Sequence, residues 1–256
     1  MAAPFPSTST LNNPIKVLDS ASAHKIFSGQ VVVDLQTAVA ELVENSLDAG
    51  STSIGAFLFL VSSSLPLPPA SPYAYSPRSK AANVSRAEVR FKDYGLESFD
   101  VVDNGSGIPP KDYDYIAFLE RVWEGEATSK LTSFSDLDTV TTFGFRGDAL
   151  SSLCALSDVV SVTTVTAADA PAGTVMDFDR TGKAKQKKPK AARQFPRGST
   201  VSVSGLFKPL PVRCKELECN ARREHAKALA LLHAYAQLSL ATSPPSSSPF
   251  SMYMLR

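Results

Sequence analysis

Glu41-Leu42-Val43-Glu44-Asn45-Ser46-Leu47-Asp48-Ala49-Gly50 is the stretch on which the reading of this chain turns. From about Val33, the residues Leu35, Val39, Leu42 and Val43 recur at helical spacing and make one apolar face that can pack on a sheet. At about 100° per residue, Glu41, Asn45 and Asp48 fall nearly in line on another face, so two acids and a neutral amide point into the same space. Gly50 then ends the helix, as a C-terminal glycine does. Taken alone, this helix reads more readily as an amphipathic one with a solvated polar face. The rest of the chain decides between the two.

Outward from that helix, 256 residues with 43% hydrophobic content suffice for a sizeable core, and one main domain is expected over residues 15–238. Residues 1–14 read as a flexible arm and 239–256 as a disordered Ser/Pro-rich tail. The 26 basic and 25 acidic residues nearly cancel, so no global field points to nucleic acid or a membrane surface, and any such contact must come from a local patch. Cys154, Cys214 and Cys219 lack metal-ligand spacing and read as plain thiols of a reducing compartment. With neither a signal-peptide pattern nor an apolar run of about 18 residues, the chain reads as intracellular, with no membrane contact.

In chain order, Asp19-Ser20 should cap a short helix to about Phe27, and Ser51 to Ile54 begin like a strand. Residues 55–86 hold an apolar burst and a Ser/Pro-rich tract, and read as an insertion. Residues 87–91 and 97–102 alternate as two strands around the turn Asp93-Tyr94-Gly95. The second strand runs into Asp103-Asn104-Gly105-Ser106-Gly107-Ile108, whose glycines let a backbone lie flat against a planar ligand, although most such strings are turns. Lys111 to Phe118 reads as helical. Thr142 to Leu150 is a glycine-bearing loop opening an apolar helix through Leu153 and Ala155. It is either a phosphate site at a helix N-terminus or a flexible lead-in to a core helix. Residues 158–166, 173–178 and 199–206 read as strands. The basic run between the last two, Lys183 to Arg197, is either a solvated hairpin tip, a DNA phosphate contact or a nuclear-import signal. Leu206 to Lys215 reads as a loop and Glu216 to Leu238 as an amphipathic helix, on which His225 and His233 are ordinary residues.

The order of these motifs resembles the N-terminal ATPase region of MutL-type DNA mismatch repair proteins, in their post-meiotic-segregation branch. The resemblance rests on Ser28 to Val32, Glu41 to Gly50, Val101 to Ile108, Thr128-Ser129-Lys130, Phe143 to Leu156, Gly198 to Phe207 and Pro211-Val212-Arg213. It implies an α+β fold of the GHKL (Bergerat) ATPase type, a sandwich in which helices cover one face of a mixed β-sheet. It also implies ATP and Mg²⁺ as cofactors, with Glu41 as the general base and Asn45 supplying an oxygen to the metal. Asp103 would accept from the adenine amino group, Gly107 would let the base approach, and Thr200 would lie near both. Gly144, Phe145, Arg146, Gly147, Asp148, Ala149 and Leu150 would cradle the phosphates, with Thr128 and Lys130 on a mobile lid. The implied function is nucleotide-driven lid closure and pairing with a second MutL-type subunit around DNA, in the nucleus.

Three stretches depart from the family pattern: residues 55–86, residues 119–126 and the tail after Ala236, which are expected to be translated non-coding sequence or gene-model errors in a truncated or mis-spliced chain. Asp148 stands where the family has glutamate. The 55–60 and 87–91 runs are expected to compete for a single place in the sheet. Without the family's second lobe and C-terminal dimerisation domain, turnover is expected to be weak. The alternative is a non-catalytic fragment that keeps the fold and a basic DNA-contacting loop.

Overall fold

The computed structural model describes residues 18–51, 54–59, 87–117, 148–191 and 197–242, and the elements below are numbered over these. Helix α1 spans Ser20–Val31, with Asp19 as its cap accepting from the Ser22 N–H at 2.9 Å. It runs past Phe27, the end expected from the sequence, because its last turn is supported from outside: Arg213 donates to the carbonyls of Gly29 and Val32 at 2.7 and 3.2 Å. Helix α2 spans Leu35–Asp48 and opens with a reciprocal box, Thr37 N–H to Asp34 Oδ1 at 2.8 Å and Asp34 N–H to Thr37 Oγ1 at 3.0 Å. Its end is the one read from Gly50. That residue has φ +88°, its N–H bonds Leu47 O at 2.9 Å, and the Ser51 N–H bonds Ser46 O at 3.1 Å, which is the paired Schellman closure.

Strands β1 (Ile54–Phe59), β2 (Ala87–Lys92), β3 (Ser98–Val102), β4 (Val159–Val165), β5 (Ala172–Phe178), β6 (Ala184–Ala191) and β7 (Gly198–Ser204) form one sheet in the order β1-β2-β3-β7-β4-β5-β6. The sheet is mixed: β1 pairs β2 in parallel and every other pairing is antiparallel. Its register stacks apolar residues on one face, with Phe91 opposite Phe99, Phe99 opposite Val203, and Val160 and Val162 opposite Phe178 and Met176. Against that face lie α2, α3 (Ala149–Leu156) and α4 (Pro211–Thr242), closing one core around Leu35, Val39, Val43, Leu153, Leu156 and Leu232. Each such side chain removed from water contributes about 1.5–3 kcal/mol. Burial pushes the Cys154 thiol up to about 12, so it stays protonated as a core side chain.

Four expectations are corrected. The 54–59 and 87–92 runs do not compete for one place, because β2 has an open edge that β1 occupies. The lysine-rich run is not only a hairpin tip. Residues 184–191 form β6, hidden from a propensity reading by Lys and Pro, which an edge strand tolerates. Residues 110–112 form a 3₁₀ turn followed by turns to Ala117, in place of a helix over Lys111 to Phe118. Helix α4 starts at Pro211 instead of Glu216, with proline at the first position that needs no N–H partner, and reaches Thr242. The N-terminal arm, residues 60–86, residues 119–126 and the tail from residue 243 lie outside the described residues. Among the described residues, no single helix is long and apolar enough to cross a membrane.

Candidate functional site

The second strand of the β2–β3 pair delivers Asp103 to the end of α2. Asp103 is 6% exposed, and its Oδ1 accepts two backbone N–H groups, from Gly105 at 2.8 Å and Ser199 at 3.1 Å. Its own N–H donates to Ser199 O at 2.8 Å, so Ser199 on β7 holds it by both backbone and side chain. Ser46 on α2 places its hydroxyl beside the carboxylate while also reaching Leu42 O at 3.0 Å. Burial raises the Asp103 carboxyl above its ordinary value, and the bonds from Gly105, Ser199 and Ser46 act against that rise. The Ser106 N–H bonds Ala49 O at 2.9 Å, which fastens the Asp103–Ile108 loop to the end of α2. The helix and the glycine loop picked out in the sequence are therefore neighbours.

Beneath the loop lies a layer the sequence reading missed. Thr164 on β4 is 1% exposed, accepts the Ile108 N–H at 2.8 Å and lies 3.0 Å from Ser199 Oγ. Gly107 has φ +73°, and a Cβ built on it would stand 2.3 Å from Val165 O, so glycine is demanded here by the β4 backbone. The residue brought to Asp103 is Ser199, not Thr200. Thr200 pairs with Val102 and Thr163 one step further along β7, and strand alternation turns it to the face opposite Ser199, Val201 and Val203. Phase was the usable signal: Val201 and Val203 face the core, and Ser199 shares their parity.

On α2, Glu41 is half-buried and Asn45 exposed. One turn from Glu41, Glu44 accepts a hydrogen bond from the Tyr235 hydroxyl on α4. Burial first, then Glu44 and the Glu41 charge, push the Tyr235 phenol well above its ordinary value. No group of three or more His, Cys, Asp or Glu among the described residues could hold a metal. A hard cation at Asn45 would therefore need most of its oxygens from a phosphate ligand and water, which is how Mg²⁺ binds with nucleotides.

Helix α3 packs against α1 and α2, with Asp148 at its cap position and Ala149 and Leu150 in its first turn. Asp148 is buried and its side chain makes no cap hydrogen bond; its carbonyl instead takes the Ser151 hydroxyl at 3.0 Å and the Ser152 N–H at 2.9 Å. Thr128, Lys130, Gly144, Phe145, Arg146 and Gly147 lie outside the described residues. A separate open depression of about 370 Å³, lined by residues that include Tyr94, Cys219 and Arg222, shares none of these site residues.

A mixed sheet with helices on one face, an acid-and-amide helix and a buried aspartate before a glycine loop define the class: a GHKL-type sandwich. No family model matches the chain. The DNA mismatch repair protein pms1 of Schizosaccharomyces pombe is 43% identical over 225 residues, 88% of this chain and 23% of that protein. The mismatch repair endonuclease PMS2 of Homo sapiens is likewise 43% identical over 225 residues, 88% of this chain and 21% of that protein. Among solved structures, the N-terminal domain of a DNA repair protein aligns with a TM-score of 0.57 and 34% identity, over 84% of this chain and 48% of that one. Over most of its length the chain is similar to post-meiotic-segregation-type mismatch repair proteins of the MutL family, and its fold to the N-terminal domain of a DNA repair protein. It spans less than a quarter of the length of these two curated relatives.

Proposed function

We propose that this chain binds ATP with Mg²⁺ between α2, the Asp103–Ile108 loop and the start of α3. The observation that carries the reading is Asp103, a buried acid whose Oδ1 is already held by two backbone N–H groups, leaving the carboxylate pre-set as an acceptor for an exocyclic amino group. Gly107 keeps the floor of that place free of a side chain. Asn45, exposed four residues from Glu41, offers its amide oxygen to the metal. Glu41, one helical turn before it, is the general base that takes the proton of the attacking water. Asp148, Ala149 and Leu150 present the N-terminal end of α3 to the phosphates, and the family resemblance assigns Gly144, Phe145, Arg146, Gly147, Thr128 and Lys130 to the same nucleotide. When bound, the metal-nucleotide pair supplies the electrophilic phosphorus and neutralises its charge.

In this reading, nucleotide-driven closure pairs the region with a second MutL-type subunit on DNA, in the nucleus, and residues 15–238 act as one unit. The relatives support the assignment through their names as mismatch repair proteins. The test is Mg²⁺-dependent ATP binding by the purified 256-residue chain, beside Asp103→Ala and Asn45→Ala. Binding that Asp103→Ala abolishes and Asn45→Ala weakens is expected. A parent chain that does not bind sinks the proposal.

The second reading, a fragment that contacts DNA without turnover, is favoured by one observation. Strand β6 is an edge of the sheet and carries exposed Lys185 and Lys188, with Lys183 just before it. Duplex binding that weakens steeply with salt and is lost in Lys185→Glu/Lys188→Glu would support it, and salt-independent binding would count against it.

A further inference from the structure

We infer that Thr164 is a positioning residue that sets the preference of this site for adenine, by holding the two backbone segments beside Asp103 in register and directing the hydroxyl of Ser199. The inference rests on the nucleotide reading above and names a residue on β4, a strand that contributes none of the proposed ligand contacts.

The geometry places one hydroxyl between two segments. Thr164 Oγ1 accepts the Ile108 N–H at 2.8 Å, which fixes the far end of the Asp103–Ile108 loop. The same oxygen lies 3.0 Å from Ser199 Oγ, and Ser199 is the residue whose N–H holds the Asp103 carboxylate at 3.1 Å. With Thr164 only 1% exposed, no bulk water can take over either role. Loop and β7 are thus tied to one another through a side chain that belongs to neither.

Proton accounting gives the hydroxyl its direction. A threonine has one proton and two lone pairs, and Ile108 occupies one lone pair. The proton has two acceptors in reach: Ser199 Oγ at 3.0 Å, a pair in which either hydroxyl can be the donor, and Gly198 O at 3.5 Å, the outer limit of a hydrogen bond. We take Thr164 as the donor to Ser199, the shorter contact. A Ser199 oxygen that accepts from Thr164 turns its own proton elsewhere, so it acts as a donor. Beside it stands Asp103, which when ionised can only accept. An acceptor beside a donor matches the amino group and ring nitrogen of adenine. Guanine presents a carbonyl and a ring N–H in the same places, reversing both. A site whose polar groups are left unpaired rejects the wrong ligand more strongly than shape alone does. Without the Thr164 hydroxyl, Ser199 can turn either way and the distinction weakens.

The test is binding of ATP and GTP to the purified chain, by competition against a fluorescent ATP analogue, for the parent, Thr164→Val and Thr164→Ser. Thr164→Val is expected to weaken ATP about tenfold and leave GTP unchanged, so the preference narrows by about tenfold, and Thr164→Ser is expected to restore it. Equal losses for both nucleotides, or a parent-like preference in Thr164→Val, overturn the role of Thr164 and leave the nucleotide reading standing. A parent that binds neither nucleotide overturns both. Should Thr164→Val fail to fold, Ser199→Ala carries the test from the other end of the bond, and a parent-like preference there overturns the inference.

Discussion

Gly107 rests against Val165: a Cβ on Gly107 would stand 2.3 Å from the Val165 carbonyl oxygen and 2.8 Å from its carbon, at φ +73°. Backbone cannot swing aside as a side chain can. Gly107→Ala is therefore expected to destabilise the fold by about 2–4 kcal/mol, from a left-handed residue plus overpacking. Urea unfolding measures it, and a loss below about 0.5 kcal/mol, the range of an ordinary surface change, would show that the end of β4 gives way cheaply.

Arg213 ties the start of α4 to the end of α1, donating to Gly29 O and Val32 O with its guanidinium 5.2 Å from the centre of the Phe207 ring. Hydrogen bonds from a charged donor are worth about 1.5–3 kcal/mol. Arg213→Ala should cost about that much in denaturant unfolding. Arg213→Lys, lacking the planar fork, should recover less than half of it. Full recovery by lysine would mean that charge alone matters there.

The raised carboxyl of Asp103 predicts a pH dependence. Above its ordinary 3.8, the folded state keeps the proton longer than the unfolded one, so stability falls as pH climbs from 3.8 through the raised folded value and is then level. Asp103→Asn keeps an oxygen for the Gly105 and Ser199 N–H groups and removes the titration. Its stability relative to the parent should rise across that window. A difference that stays flat from pH 4 to 7 would contradict the burial argument.

His225 titrates in the opposite sense. It is 5% exposed, stacked edge-on against Phe91 at 4.8 Å and Tyr94 at 5.6 Å, and burial lowers its pKa from the ordinary 6.5. The stability of the neutral ring is fully present above 6.5 and is lost as pH falls through the lowered folded value. His225→Phe should flatten part of the acid loss. Buried His24, lowered by the same cause, supplies another part. An unchanged acid profile in His225→Phe would place the sensitivity elsewhere.

Where a residue type has one dominant reason to occur, the sequence was a good guide. Gly50 closes α2 as read, and Val101-Val102 leads into Asp103 because alternation leaves few other readings. Edge strands escaped: lysines and Pro189 in β6 argue against a strand anywhere but at an edge, and edge position is a property of the whole sheet. Ser46 and Thr164 escaped for a related reason. A lone hydroxyl on an apolar face has no local signature, and its partners Asp103, Ser199 and Ile108 come from other parts of the chain. Ser199 itself could have been preferred over Thr200 from the parity of Val201 and Val203.

The strand order β3-β7-β4 sets the timing of synthesis against assembly. Of the described strands, the central one is the last that the ribosome delivers, because Gly198 follows Val102 by about a hundred residues, on the order of 5–20 s of translation. Until then β3 and β4 each offer a bare edge, and the carboxylate of Asp103 waits for the Ser199 N–H. A nascent chain stalled before residue 198 would hold two half-sheets with nothing to join them, which makes this interval the stage at which the protein most needs a chaperone.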